Sequence, residues 1–140
     1  MAWANDQETR RQSFITRRIT KKEHDQWFSK VLADHKNEQL FILENQDIRA
    51  CGQVRFSRSD RDNWEIHFSI GPEFRGQKLG AQMIRTGLDI FLERRIISTI
   101  TAKVKSDNVA SLKVLLRAGF QIKEKCVPGN LEVRLVYIPL

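Results

Sequence analysis

The decapeptide GPEFRGQKLG, residues 71–80, places three glycines, Arg75 and Lys78 directly after the alternating apolar run Ile66, Phe68 and Ile70. A strand that runs into a glycine-punctuated helix start directs unpaired backbone N–H groups at one point, with the positive end of the helix dipole behind them. Such a turn binds a phosphate or another anion. It also serves as an ordinary strand-to-helix turn, and the decapeptide alone leaves both readings open. Gly76 and Gly80 permit close approach of a pyrophosphate and tight helix–strand packing. Lys78 stands where a phosphate cradle favours a further glycine, although a lysine in a helix's first turn adopts helical dihedrals. A second group, Glu65 and His67, alternates on the strand face opposite Ile66, Phe68 and Ile70. Either side chain can be tuned towards neutral pH and accept a proton directly or through water. Glu65 is equally suited to a cross-strand pair with Arg55 if the intervening turn centres near Asp60, and His67 to a surface position.

The elements that must position these residues follow from periodicity and caps. Thr20 and Glu23 form a capping box for a helix over 20–34, whose apolar stripe is Trp27, Phe28, Val31 and Leu32; that stripe makes Trp27 a candidate core residue. QLFILEN and IRACGQVRF read as strands around the turn Asn45-Gln46-Asp47, and WEIHFSI as a third strand after the polar SRSDRDN. From about Gly76 the period becomes helical, with Leu79, Met83, Ile84, Leu88, Phe91 and Leu92 on one side and Arg94 and Arg95 at the negative end. IISTITAKV is a β-branched strand; Asp107 or Asn108 then caps a helix bearing Leu112, Leu115 and Leu116, ended by Gly119. FQIKEKCV and LEVRLVYI are final strands split by Pro128-Gly129-Asn130. The order is helix, three strands, helix, strand, helix, two strands: an α/β chain, mostly antiparallel at first, with a crossover in the middle.

Bulk properties narrow the partners. A chain of 140 residues fits one domain, spanning 1–140. No apolar run reaches membrane-span length and no secretion signal opens the chain, which makes a cytoplasmic location the expectation. Cys51 and Cys126 are expected to be reduced sheet or core residues, and the scattered His24, His35 and His67 imply no metal site. A formal charge of +7 favours an anionic partner, either nucleic acid or a phosphorylated cofactor or substrate. The paired cations Arg10-Arg11, Arg17-Arg18 and Lys21-Lys22 lack the interleaved aromatics of a single-strand stacking platform, which argues against nucleic acid.

Two segments in a fixed order change the weight of the phosphate reading. FSIGPEFRGQKLG followed by KSDNVASLKVLLRAGF resembles the GCN5-related N-acetyltransferases (the GNAT family) over residues 40–125. The resemblance implies a mixed, mostly antiparallel sheet with helices on both faces and a splayed central strand. It also implies an enzyme that uses acetyl-CoA to acetylate a primary amine. The family's pyrophosphate loop falls on Arg75, Gly76, Gln77, Lys78, Leu79 and Gly80. Its pantetheine-binding strand falls on Phe68, Ser69 and Ile70, and its pantetheine-contacting asparagine on Asn108, with Ser111 and Lys113 beside the cofactor. The tyrosine that the family commonly uses as general acid is replaced by Leu115, and the lone Tyr137 lies on the last strand. A thiolate with a pKa near about 8.5 leaves without strong acid help. Glu65 and His67 remain the candidate bases.

Ribosomal-protein acetyltransferases of the family match less well, since Lys103 replaces their glutamate. WANDQETRRQSF, EHDQWFSKVLAD and GQVRF resemble acetyltransferases of nucleotide-linked amino sugars in bacterial surface-glycan pathways. That likeness puts Trp3, Asn5, Arg10, His24, Trp27 and Arg55 on the sugar-nucleotide side. The chemistry is compatible, because arginine forks suit a diphosphate and indole suits a sugar or base face. Transfer to a protein or peptide amine, and a non-catalytic binding module, are the alternatives. The family's first strand is expected to be missing here, leaving QLFILEN as an open edge suited to homodimer pairing.

Overall fold

The computed structural model describes residues 1–93, 95–125 and 132–139. Cys126, Arg94 and the turn at Pro128-Gly129-Asn130 lie outside them. The elements are α1 (Gln7–Gln12), α2 (Lys21–Ala33), β1 (Glu38–Glu44), β2 (Ala50–Arg58), β3 (Asn63–Ile70), a single 3₁₀ turn (Pro72–Phe74), α3 (Leu79–Leu92), β4 (Thr99–Lys105), α4 (Val109–Arg117), β5 (Gln121–Glu124) and β6 (Glu132–Tyr137). The fold is mixed α/β. One six-stranded sheet runs β1-β2-β3-β4-β6-β5, antiparallel except where α3 crosses over to make β4 parallel to β3.

Alternation on the strands separates the two faces. Val54, Phe56, Trp64, Ile66, Ile100 and Ala102 are buried against Ile84, Leu88 and Phe91 of α3 and Leu115 of α4. Phe56 and Phe91 stack with centroids 4.1 Å apart, and Trp64 meets Phe91 edge-on at 4.9 Å. The other face carries Arg55, and there Trp27 of α2 lies under its guanidinium at 5.3 Å. Helices therefore cover both faces, and β1 is at one edge of the described sheet.

The capping box is present at Thr20 and Glu23. The stripe assigned to α2 is corrected: only Val31 is buried, while Trp27, Phe28 and Leu32 are 36%, 40% and 49% exposed. Here α2 packs against β1, and Trp27 lies under Arg55 of β2 rather than in the core. A further helix, α1, capped by Asp6, precedes the expected order. Asn108, rather than Asp107, caps α4, its side chain accepting from Ser111 N–H. Arg95 reaches the last turn of α3 as expected and donates to Phe91 O at 2.9 Å.

Close approach of β2 and β3 near the site depends on Gly52. A Cβ there would sit 2.9 Å from the carbonyl oxygen of Ser69 and 2.8 Å from Met83 Sδ. A backbone atom cannot step aside without bending β3. Gly52→Ala is expected to lower the free energy of unfolding by about 1–3 kcal/mol in a urea titration. An unchanged midpoint would mean that the strands are not packed this closely.

Candidate active site

The pairing of β3 with β4 lasts for three residue pairs, Asn63–Thr99, Trp64–Ile100 and Glu65–Thr101. Beyond Glu65 the strands part. β3 continues to Ile70 on β2, and β4 continues to Lys105 on β6. The edge of β3 that faces β4 thus presents backbone groups with no ladder partner from Ile66 onward. A cavity of about 680 Å³ opens at this fork. Its strand walls are Gln53, Arg55, Ile66, His67, Phe68, Ser69, Ala102, Lys103 and Val104, and Asn108 and Ser111 lie at the start of α4. The first 19 residues and α2 close the far side with Trp3, Arg10, Gln12, Arg17, His24 and Trp27.

The strand and helix residues expected beside a pantetheine arm divide. Phe68, Ser69, Asn108 and Ser111 line the cavity, whereas Ile70 and Lys113 do not. The loop from Arg75 to Gly80 lies beyond its lining. In that loop Gly76 has φ 77° with open space about it. Lys78 is corrected: it is not in the first helical turn but precedes α3 as its N-cap, left-handed at φ 59° and ψ 27°. Its side chain caps nothing, so the first N–H groups of α3 have no side-chain acceptor, in contrast to α1, α2 and α4. Free N–H groups at the positive end of a fourteen-residue helix suit a phosphate. Gly80 serves a different contact from the one expected. Its missing Cβ would meet Val114 of α4 at 3.0 Å, so it packs helix on helix. Arg75 turns towards α1, donating to Asp6 at 2.6 Å and to Thr9 Oγ1 at 3.0 Å. That guanidinium holds the Asp6 carboxyl below its ordinary value.

Of the six residues expected on the acceptor side, Trp3, Arg10, His24, Trp27 and Arg55 line the cavity and Asn5 does not. Arg55 is held between the Trp27 ring and Glu38, 3.0 Å away, and also donates to Ser57 Oγ. The expected Glu65–Arg55 pair is not formed. Arg55 stands opposite His67, and Ser57 opposite Glu65. Asn5 lies behind the wall, exchanging bonds of 2.8 and 2.7 Å with the backbone of Ile19. Arg17 binds Glu23, whose carboxyl is held down at about 2, first by Arg17 and then by the Thr20 N–H.

Of the two candidate bases, His67 faces the cavity and Glu65 does not. Glu65 lies 3.7 Å from both His67 Nε2 and Lys103 Nζ, joining them across the fork. The His67 ring is 42% exposed, but into a cavity walled by protein. Desolvation, then the charges of Arg55 and Lys103, push its pKa down to about 4. At neutral pH it is an uncharged imidazole, able to accept a proton. Gln12, Arg17, Gln53 and Lys103 also line the cavity and were not anticipated as site residues. The polar alternation Gln53, Arg55, Ser57 on β2 was the available signal for one of them. Among the described residues no three His, Cys, Asp or Glu side chains converge to hold a metal ion, and no helix is long and apolar enough to cross a membrane.

Residues 1–121 match the family model described as "Acetyltransferase (GNAT) domain". Solved structures give the same fold. The spermidine N-acetyltransferase of Vibrio cholerae, in complex with CoA and spermine, superposes with a TM-score of 0.81 at 17% identity, over 98% of this chain and 86% of that one. A domain from Methanocaldococcus jannaschii gives 0.81 at 22% identity, covering 99% and 88%. The Campylobacter jejuni N-acetyltransferase PseH, in complex with acetyl coenzyme A, gives 0.69 at 19% identity, covering 84% and 78%. No curated protein matches the sequence.

Two outcomes follow from this geometry. The His67 imidazole should titrate near about 4 by NMR, and in Lys103→Gln its midpoint should rise. Because the folded value lies below the ordinary 6.5, His67 stabilises the fold fully above that value, and its contribution is lost as pH falls from 6.5 towards 4. A midpoint near 6.5 in wild type would place the ring in bulk water. Lys78→Gly relieves a left-handed non-glycine residue and should raise stability by up to about 1 kcal/mol. A comparable loss would mean that the lysine side chain holds the loop.

Proposed function

The chain belongs to the GNAT acetyltransferase family, and we propose that, with acetyl-CoA as donor, it acetylates the 4-amino group of a nucleotide-linked amino sugar. The donor supplies an acetyl group activated as a thioester. The residues that fit it are the unpaired edge of β3 at Phe68–Ile70, the uncapped start of α3 with Arg75–Gly80 before it, and Asn108 and Ser111 at the start of α4. Backbone N–H groups on that edge suit the oxyanion that develops as the amine nitrogen attacks the thioester carbonyl. The C–N bond forms, the C–S bond breaks, and sulfur departs as thiolate. His67 takes the surplus proton of the amine, directly or through water, with Glu65 behind it.

The observation that carries the choice of acceptor is the charge arrangement of the cavity. Four cations line it, Arg10, Arg17, Arg55 and Lys103, and Glu23 is the one carboxylate among the lining residues. Glu23 is already bound by Arg17; behind the wall, Glu38 is bound by Arg55, and Glu65 lies within ion-pair range of Lys103. A polyamine needs carboxylates that are free to meet its ammonium groups. An acceptor bearing a diphosphate instead meets guanidinium forks, with the Trp3 and Trp27 rings for its sugar or base. The edge position of β1 supports pairing of two copies through it.

Release of CoA thiol should be followed with acetyl-CoA and, in turn, a UDP-linked 4-amino sugar, spermidine and a basic peptide. The expected kcat/KM for the amino sugar nucleotide exceeds that for spermidine by at least about tenfold, the size of one unfavourable charge contact. Equal or faster turnover of spermidine or the peptide would overturn the choice of acceptor. Acetyl-CoA binding without thiol release for any amine would favour the non-catalytic reading.

A further inference from the structure

One cation at the narrow end of the fork, Lys103, has no part in the transfer reaction described so far. Glu65 and Thr101 are the last paired residues of β3 and β4, and partners across a ladder share a face of the sheet. Two residues further along each strand, on that same face, stand His67 and Lys103. They are the first side chains on that face past the point where the strands part. Both line the fork cavity, and each side chain is 42% exposed. The opposite face at the same level is apolar, with Ile66 and Ala102 buried.

Two sides are open to the Lys103 ammonium, and its neighbours decide between them. Towards β6 it helps to line a second cavity of about 210 Å³ with Thr101, Lys123, Glu124 and Arg134. Arg134 stands directly opposite it, bound to Glu132 at 2.8 Å and to Glu124 at 3.6 Å. With Glu124 taken up in this way, the charges of Lys123 and Arg134 face Lys103 from that side. On the fork side Glu65 lies 3.7 Å from the ammonium, and the neighbouring His67 imidazole is uncharged at neutral pH. Repulsion from one side and a carboxylate on the other keep the ammonium at the fork.

With acetyl-CoA as donor, the phosphates fit the start of α3, beyond the wide end of the fork. A pantetheine arm along Phe68–Ile70 then points its thioester at the narrow end, where His67 and Lys103 stand. Negative charge develops there on the carbonyl oxygen and on the sulfur. The backbone edge of β3 serves the oxygen. For the sulfur, the family's usual tyrosine is replaced by Leu115, which is fully buried in the core.

We propose that Lys103 is a catalytic residue, its ammonium meeting the CoA sulfur as the C–S bond breaks. The assignment rests on the donor site given above and adds the group that receives the leaving charge. The C–S electron pair stays on sulfur, the surplus proton of the amine goes to His67, and Lys103 gives up no proton.

The test needs no acceptor. Binding of CoA and of desulfo-CoA, which lacks only the sulfur, is followed by calorimetry at about pH 6.5 and about pH 9, on either side of the ordinary thiol value of about 8.5. Both ligands carry the same phosphates and meet the same protein charges, those of Arg55, Glu65, His67 and Arg134 included. Their affinity ratio therefore reports the sulfur alone. In wild type CoA is expected to gain about fivefold or more on desulfo-CoA over that range, because a cation beside a thiol favours its thiolate. Lys103→Met should hold the ratio within about twofold, and Lys103→Arg should retain the gain. A flat ratio in wild type, with both ligands bound, overturns the assignment and leaves the donor site standing. An equal gain in Lys103→Met gives the sulfur to another cation, Arg55 first among them, and overturns it too. If Lys103→Met does not fold, the wild-type ratio and Lys103→Arg decide. Failure of wild type to bind either ligand overturns the donor site, and this assignment with it.

Discussion

Everything at the candidate site depends on how early β3 and β4 stop pairing. Parallel strands that stayed together would satisfy their facing N–H and C=O groups and leave no room between them. Here three residue pairs fasten the strands at one end, and the fork then widens over Ile66–Ile70 on one side and Ala102–Lys105 on the other. The opening is tolerated because each strand keeps a full antiparallel ladder with its outer neighbour, β2 or β6. Other elements then span it. On one face Gly80 brings α3 against Val114 of α4. Towards the N-terminal segment, α1 is tied at its start to Arg75, beyond β3, and at its end to Lys105, whose ammonium donates to Arg11 O at 2.9 Å. A six-residue helix with no buried residue has little reason to hold its shape alone. Its two tethers make it part of the site wall.

That arrangement sets the electrostatics. Arg17, Arg55 and Lys103 on the wall are each matched with a carboxylate within 3.7 Å or less, and among the described residues Arg10 is not. Arg55 is the most constrained, clamped between Glu38 and an indole ring, and its charge acts on His67 directly opposite. An imidazole kept neutral by desolvation first, and by that field second, is a proton acceptor over the whole physiological range, although a weak one. The attacked bond compensates for the weakness, since a thioester expels a good leaving group and demands little of the base.

Much of the scaffold was legible in the sequence, because the long elements carry their own signals. The stripe Met83, Ile84, Leu88 and Phe91 is buried as its spacing predicts, and Glu65 and His67 do share a face opposite Ile66 and Phe68. What escaped was set by contacts between segments. With Arg58 opposite Trp64, the hairpin centres on Arg61, one residue later than expected. That difference gives Arg55 to Glu38 and His67, and leaves Glu65 to Lys103. Trp27 carries a core-like spacing but is 36% exposed beside the cavity, where its ring lies under the Arg55 guanidinium of β2. α1 is too short for any periodicity, and its existence rests on an Asp6 cap and on Arg75, 69 residues away.

Lys78 shows how a local rule and the site can disagree. Glycine is the residue that a left-handed position favours, and the chain puts lysine there at φ 59°. The strain is of the order of 1 kcal/mol, small beside the packing of α3 on the sheet. Two residues on, Gly80 packs against Val114 of α4, where a Cβ would sit 3.0 Å away. The same backbone path keeps the helix's first N–H groups clear of side-chain caps. The capping residues of α1 and α2, Asp6 and Thr20, have ψ of 136° and 156°, a backbone that Lys78 at ψ 27° does not share. A long cation leaves those N–H groups open and adds positive charge beside them, so the residue that departs from the turn's preference suits the chemistry of the turn.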